Sequence, residues 1–530
     1  MSGFFSDRWN RVVSLLIFFA LLGAWLLRHL EDDAFITFRY SKHLAEGFGA
    51  VWNVGEVPLE GYTNALWMLL MAAPELLGID TVFIAHFLGI TFLGLNLLFA
   101  WQLVLRLGAS GAAALLVFLP VALNYTLLCY GTSGLETSMN GFLWTCMAYV
   151  VVDALEGRKM KGAGKSILLG GMAFLLFLSR PDGLLMAFAA LEFAFLYKVA
   201  RRAWAMAAFL IPSAIFLLLK YNFYGQLLPN TFYVKGLGLE MGDGLYYLAA
   251  LVVVYGLFLP LGHFLWAAAF RKETLSPSIA FLSVVCMLWL GYLVAIGGDY
   301  MEFRMAVPVL PILLVLGGEM WRRTGARRFS RVLAAVLVLF SGLHAAGHGR
   351  LYQLGFVTPV HRAVSEGAPP YLGLRAQAEG LSDLFSPDSS LVFASGNIGA
   401  YAYENEFRWV DFYGLNDAWI ARNGEYRDWG PGHRVVAPFE HLLDRGVNLV
   451  SVACFHVGQP AVEGPFSASR EEFGWVLGEW RPKGEPVRVV ALPIAESHRL
   501  LCLYLSPHPQ VDSLIAARNL KIWDLRFDEP

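Results

Sequence analysis

Glu31-Asp32-Asp33-Ala34-Phe35-Ile36-Thr37-Phe38-Arg39-Tyr40 follows directly on the first apolar run of the chain, Val12 to Leu30. That run is long enough to cross a bilayer, and no small-residue cleavage site precedes the charged cluster. It therefore predicts an uncleaved first span, not a signal peptide. Two adjacent carboxylates, Asp32 and Asp33, then stand at the lip of a membrane. Charge near hydrocarbon is expensive, so ionisable groups at that depth are paired, hydrated or functional. Ending a helix would explain one such pair on its own. It does not explain the other polar clusters that the chain carries to the same side.

The composition sets the class. Of 530 residues, 57% are hydrophobic and 15% charged, with a mean hydropathy of +0.53. Soluble domains carry more charge and less apolar surface, so the chain reads as a polytopic membrane protein. A formal charge of −2 gives no basis for a nucleic-acid partner. Further spans are predicted at 82–105, 112–129, 137–155, 167–179, 183–199, 204–220, 244–270, 277–296, 305–320 and 331–347. Basic connections fall at Arg8/Arg11, Arg106, Arg158 to Lys161, Arg201-Arg202, Arg271-Lys272 and Arg322 to Arg331. Setting all of them on the cytoplasmic side gives eleven spans, the N-terminus inside and the C-terminus outside. The outward connections are then 31–81, 130–136, 180–182, 221–243 and 297–304. Within the first, 35–47 and 62–77 read as helices lying on the membrane surface; counting 62–77 as a span would reverse every later loop.

Residues 1–349 thus predict a transmembrane domain. Residues 350–530, with short apolar runs at 390–395, 447–452, 487–492 and 500–505, predict an extracytoplasmic α/β domain. Its aromatics (Trp409, Tyr413, Trp419, Trp475, Trp480) suit acceptor binding, or simply packing over a cavity. Cys454 and Cys502 could pair there, a matter that spacing does not decide.

The outward loops share an inventory. The first holds Asp32, Asp33, Arg39, Glu60 and Tyr62; GTSGLETS holds Glu136; SRPDG holds Arg180 and Asp182. YNFYGQLLPNTFYVKG holds Asn230 and Lys235, and GGDYMEFR holds Asp299, Glu302 and Arg304. Five such loops on one face predict a single aqueous cavity. A carboxylate beside cations suits a transfer in which an acceptor hydroxyl loses its proton and a phosphate leaves. Arg180, Lys235 or Arg304 would hold that phosphate. No P-loop, nucleotide-binding glycine motif or histidine-rich zinc motif is present, as fits an activated substrate carried by a lipid.

The ordered set DDAFITFRY, EGYTNALW, TSGLETS, SRPDG, NFYGQLLPNTFYVKG, GGDYMEFRMAVPVLP, SGNIGAYAY, DFYGLND and PGHRVVAP resembles the bacterial integral-membrane glycosyltransferases of the GT-C superfamily. Within it, the arabinofuranosyltransferases that use decaprenyl-phosphoryl-arabinose are the most similar. DDAFITFRY and GGDYMEFR are the most specific pieces. The resemblance implies an acidic catalytic base in the first outward loop, Asp33 or Asp32. It implies transfer of a sugar, arabinofuranose foremost, from a polyprenyl phosphate to an envelope glycan or protein, with inversion. Arg39, Glu60, Tyr62, Glu136, Asp182, Asn230, Asp299 and His433 are then the candidates for sugar and acceptor contacts. The location implied is the bacterial plasma membrane. Paired acids can also hold a divalent cation, the one cofactor left open. A mannosyl- or other hexosyltransferase is the alternative within the enzymes. A transporter is the alternative outside them, although transporters gather polar groups near the midplane and not at one face.

Overall fold

The computed structural model describes residues 8–157, 162–235, 238–325, 327–351, 372–387, 390–427, 434–456 and 487–525. His433, Trp475, Trp480 and the basic connection Arg158 to Lys161 lie outside the described residues.

The chain opens with α1 (Arg8–Leu26). The connection after it carries α2 (Asp32–Ala45) and α3 (Ala65–Leu77), both too short to cross a bilayer. Then come α4 (Thr81–Arg106), α5 (Gly111–Ala122), α6 (Tyr125–Cys129), α7 (Thr137–Leu155), α8 (Ala163–Ser179), α9 (Leu184–Leu196), α10 (Arg202–Tyr224) and the short α11 (Asn230–Val234). The helical part closes with α12 (Met241–Val254), α13 (Phe258–Phe270), α14 (Pro277–Ala295), α15 (Leu310–Arg323) and α16 (Arg327–Leu351). Among the described residues, α1, α4, α7, α10, α14 and α16 are long and apolar enough to cross a membrane.

The remaining apolar runs form shorter or interrupted helices, for local reasons. The run 244–270 breaks at Tyr255 to Leu257, where Gly256 takes φ +62°, and α12 and α13 diverge by 98°. The run 112–129 breaks at Asn124, whose side chain accepts the Leu127 N–H and starts α6 afresh. In 305–320 the helix begins only at Leu310, and nearly all of α15 is buried in protein. It is apolar because it is core. By contrast, α1 and α10 keep only 17% and 22% of their apolar windows buried. Their exposed Phe18, Phe19, Ile211 and Leu218 are the lipid-facing side chains.

The basic connections gather at one end of this bundle. Arg106 pairs with Asp153 at 2.7 Å. Arg322 and Arg323 both grip Glu319, and both donate to the Leu107 carbonyl. Arg323 also donates to Thr274 O and Ser276 Oγ. The acids of the other loops sit at the opposite ends of the same helices.

The C-terminal part is built on a mixed six-stranded sheet. Its elements are α17 (Leu374–Ser382), β1 (Val392–Ser395), α18 (Gly399–Glu404), β2 (Arg408–Asp411), α19 (Ile420–Asn423), the small hairpin β3 (Glu425–Tyr426) and β4 (Val435–Val436), α20 (Phe439–Asp444), β5 (Leu449–His456), β6 (Val487–Ala495), β7 (His498–Tyr504), α21 (Pro509–Arg518) and β8 (Ile522–Leu525). The strand order is β2-β1-β5-β7-β6-β8, parallel among β2, β1 and β5 and antiparallel beyond. All five cysteines are free thiols. Cys502 faces Ser451 and Cys454 faces Leu500 across the β5–β7 ladder, so the proposed pair is out of register.

The sheet does not stand apart from the membrane part. One core unites Ile36, Tyr40, Trp52, Tyr62 and Met68 of the first loop with Leu381, Phe393, Tyr401, Trp409 and Leu492. Trp409 stacks on Phe393 and Tyr401 and is buried, so it is a core residue and not a sugar platform. Arg39 anchors the joint. Its guanidinium is buried and donates to the carbonyls of Ala402, Asn405 (3.0 Å), Phe407 (3.3 Å) and Trp52 (2.7 Å), while lying over the Trp52 ring. Read from the sequence as a sugar contact, Arg39 has its donors spent on the C-terminal part. Replacing it strands several buried carbonyls, each costing about 1–3 kcal/mol. Arg39→Met should therefore lower the thermal stability of the detergent-purified protein sharply. Lys42→Ala, which removes only the exposed pair with Glu406, should change it by about 0–1 kcal/mol. Equal melting curves for the two variants would remove the anchor role.

Candidate functional site

Asp32 and Asp33 are the first two residues of α2, and neighbours on a helix point about 100° apart. That angle separates their fates. Asp32 turns to the C-terminal part, where its two oxygens accept the N–H groups of Gly399 (2.9 Å) and Ala400 (2.8 Å) at the start of α18. Gly399 permits this approach, because a Cβ there would collide with the Asp32 carbonyl oxygen. Burial pushes the Asp32 carboxyl up to about 6, against the pull of those two donors. Asp33 turns to the 299–304 loop. Tyr300 donates to its Oδ2 at 3.1 Å, and Nη1 of Arg304 stands 3.8 Å from the same atom.

Arg304 is positioned by its own loop. Gly297 and Gly298 both take positive φ after α14. A side chain at Gly298 would strike the Tyr247 ring. The turn they make sets Asp299 and Arg304 face to face, with Nε on Oδ2 at 2.8 Å and Nη2 on Oδ1 at 3.3 Å. Burial opposes the Arg304 charge, but Asp299, Tyr300 and Asp33 outweigh it and hold the group well above the ordinary arginine value.

Arg180, released where α8 ends, joins two further loops. Its Nε and Nη2 fork onto Asp182, and Nη1 reaches Glu136 at 2.9 Å. Asn64 donates to the other Glu136 oxygen at 2.7 Å. Burial would raise the Glu136 carboxyl; Arg180 and Asn64 pull it below the usual range instead. Lys235, just past α11, completes the ring. Its ammonium is accessible yet walled in by protein. That enclosure and the nearby Arg304 hold it below the ordinary lysine value, with Asp299 opposing. Among the described residues no carboxylate lies within ion-pair distance of it.

The structure thus brings together Asp33, Glu136, Arg180, Asp182, Lys235, Asp299 and Arg304. It separates others from them. Glu60 pairs with Lys220 at 2.5 Å, and Tyr62 bonds Tyr224 and packs on Tyr40. Asn230 donates to the carbonyls of Gly414 and Leu415. Like Arg39, these three expected sugar contacts hold the first loop, α10 and the C-terminal part to one another. The two adjacent acids do not converge on a common point, and both Asp32 oxygens are occupied by N–H donors. The pair therefore does not make a divalent-cation site, and no cluster of three or more metal-ligating side chains occurs among the described residues. Tyr300 was not singled out in the sequence, although it stands between two residues that were.

A helical membrane domain roofed by a sheet domain is an architecture shared with solved structures. ArnT from Cupriavidus metallidurans bound to undecaprenyl phosphate superposes with a TM-score of 0.57 at 12% identity, covering 94% of this chain and 100% of that one. Its apo state gives 0.55 at 13% identity, covering 95% and 100%. At such identities the likeness is one of fold. In sequence, the chain is 27% identical over 375 residues to a terminal beta-(1->2)-arabinofuranosyltransferase of Mycobacterium tuberculosis, covering 60% of this chain and 58% of that protein. A protein of the same name from Corynebacterium glutamicum is 26% identical over 346 residues, covering 56% and 48%. The chain spans about half the length of the curated relatives it matches. No protein-family model matches it. The resemblance carried by the loop motifs is borne out by these relatives.

The charge balance around Arg180 is directly testable. Arg180→Gln leaves two buried carboxylates without their cation, a loss of about 3–5 kcal/mol in comparable pairs. Adding Glu136→Gln and Asp182→Asn to it should recover part of that loss in thermal unfolding. No recovery in the triple variant would refute the pairing.

Proposed function

We propose that the protein transfers a sugar, D-arabinofuranose foremost, from a polyprenyl phosphate to a hydroxyl of a cell-envelope glycan or protein, with Asp33 as general base. The observation that carries this reading is the split of the acid pair: Asp33 faces Tyr300 and Arg304 while Asp32 is engaged by the roof. The sequence relatives support the sugar, and the fold of a protein bound to undecaprenyl phosphate supports the lipid donor.

In this reading Lys235 is the first ligand of the donor phosphate. Arg180 and Arg304 have most of their donors on acids of the protein, whereas Lys235 keeps three N–H groups for an anion. Asp33 takes the proton of the acceptor hydroxyl as its oxygen attacks the anomeric carbon. The bond from that carbon to the phosphate oxygen breaks, and its electron pair stays on the polyprenyl phosphate. Lys235 and Arg304 stabilise the charge growing on that phosphate. Attack opposite the leaving group inverts the anomeric centre. Glu136, Asp182 and Asp299 fix the two arginines and line the sugar pocket. The cavity opens on the face away from the basic connections, so the reaction belongs on the extracytoplasmic side.

Asp33→Asn should lower transfer from a synthetic arabinofuranosyl lipid by about 10²–10⁴-fold, the usual weight of a general base, with lipid-phosphate binding intact. Normal turnover would remove the base, and transfer from a mannosyl but not an arabinosyl lipid would remove the sugar. Lys235 gives a pH signature. Its charge is present below its pKa and lost above it, and that pKa lies below the ordinary value of 10.5. Affinity for polyprenyl phosphate should therefore fall with rising pH, at a lower pH than a solvent-exposed lysine would allow. Lys235→Arg should flatten this decline, and a Kd titration between pH 7 and 10 reads it.

A further inference from the structure

Below the acid–base ring lies a second polar cluster that the transfer chemistry does not use. Glu302 and His344 are both fully buried, with Oε1 of Glu302 2.5 Å from Nε2 of His344. The other ring nitrogen of His344 is 2.8 Å from the Tyr255 hydroxyl. That hydroxyl in turn meets Thr126 at both its backbone N–H (3.0 Å) and its Oγ1 (2.6 Å). The rings of Tyr125, Tyr255 and Phe303 box the imidazole in, at centroid distances of 4.9, 5.1 and 5.8 Å.

The polar members of this cluster around His344 have one thing in common. Thr126 lies where α5 gives way to α6, Tyr255 lies at the 98° break between α12 and α13, and Glu302 lies in the loop between α14 and α15. Each is a point of irregular backbone inside a membrane domain. Such points persist only where protein satisfies their polar groups. The third is also strained. Phe303, a bulky buried residue, takes φ +44°, in the left-handed region that side chains avoid. The residues on either side of it face opposite ways. Glu302 points to α16, and Arg304 points to Asp299 and Asp33. An ionisable pair at this depth is retained for a purpose.

We propose that Glu302 and His344 are positioning residues: they pin the 299–304 loop to α16 with Phe303 in its left-handed conformation, so that Tyr300 and Arg304 are held against Asp33. The inference rests on the proposed transfer only for its effect on turnover; the effect on the loop stands without it. With the latch weakened, Phe303 relaxes and the loop carries Tyr300 and Arg304 away from the base. Lys235 and Arg180 sit on other loops and keep their places.

Glu302→Gln removes the charge and keeps the shape; the test uses the full chain in nanodiscs. Hydrogen exchange of peptides covering 297–306 should rise at least tenfold, while α4 and α7 keep their protection. Turnover should fall about 10–100-fold, with the KM for the lipid donor within about threefold of wild type. Should Glu302→Gln fail to fold, Tyr255→Phe, which deletes one hydroxyl from the same network, is read in the same way. Unchanged exchange at 297–306 overturns the latch. So does a raised KM with kcat intact. If the wild-type protein moves no arabinofuranose at all, the transfer reading fails while the exchange measurement still judges the latch.

Discussion

Two carboxylates on successive residues of one helix cannot face the same way, and the layout of this protein follows from that angle. Asp32 is drawn into the N–H groups of Gly399 and Ala400, so the roof is fastened at the rim of the cavity. Asp33, one residue on, is left facing inward to Tyr300 and Arg304. A single structural bond thereby fixes the direction of a chemical group. Any loosening of the roof at this point also turns the inward acid.

The ring of charges around that acid is close to internally neutral, and this is what makes it tolerable at the membrane rim. Arg180 lies between Glu136 and Asp182, and Arg304 lies against Asp299. A buried charge left alone costs several kcal/mol, whereas a forked arginine satisfies its carboxylates with fixed geometry. Among the described residues Lys235 has no carboxylate within ion-pair distance. The Arg180–Glu136 pair cross-links two of the site's five loops and the Asn64–Glu136 bond ties in the first, so the site is held by polar bonds as much as by packing.

How far the sequence reveals this depends on whether a residue's partner is chemical type or location. Polar groups at the ends of apolar runs are visible in composition, and Asp33, Glu136, Arg180, Asp182, Lys235, Asp299 and Arg304 were gathered on that basis. Arg39 and Asn230 look no different from them, yet their partners are backbone carbonyls of the C-terminal part, more than a hundred residues away in sequence. Spacing carries no trace of such bonds. Asp32 and Asp33 could not be told apart for the same reason. His344 lies inside an apolar run, where a lone ionisable residue is itself the signal, but Glu302 becomes its partner only through the reversal at Phe303. The number of spans is not legible in the same way, because α15 is apolar yet largely buried in protein, and hydropathy does not distinguish that from burial in lipid.

The core shared by the first loop and the sheet has a consequence for biosynthesis. Tyr40, Trp52 and Tyr62 leave the ribosome well before Phe393, Trp409 and Leu492, with which they share a core. The gap is roughly 330–450 residues, or about 17–90 s at ordinary synthesis rates. Throughout that interval a patch of aromatic side chains waits at the membrane surface without its covering. The bilayer interface, where such rings are at home, is the natural shelter for them until the sheet has been made.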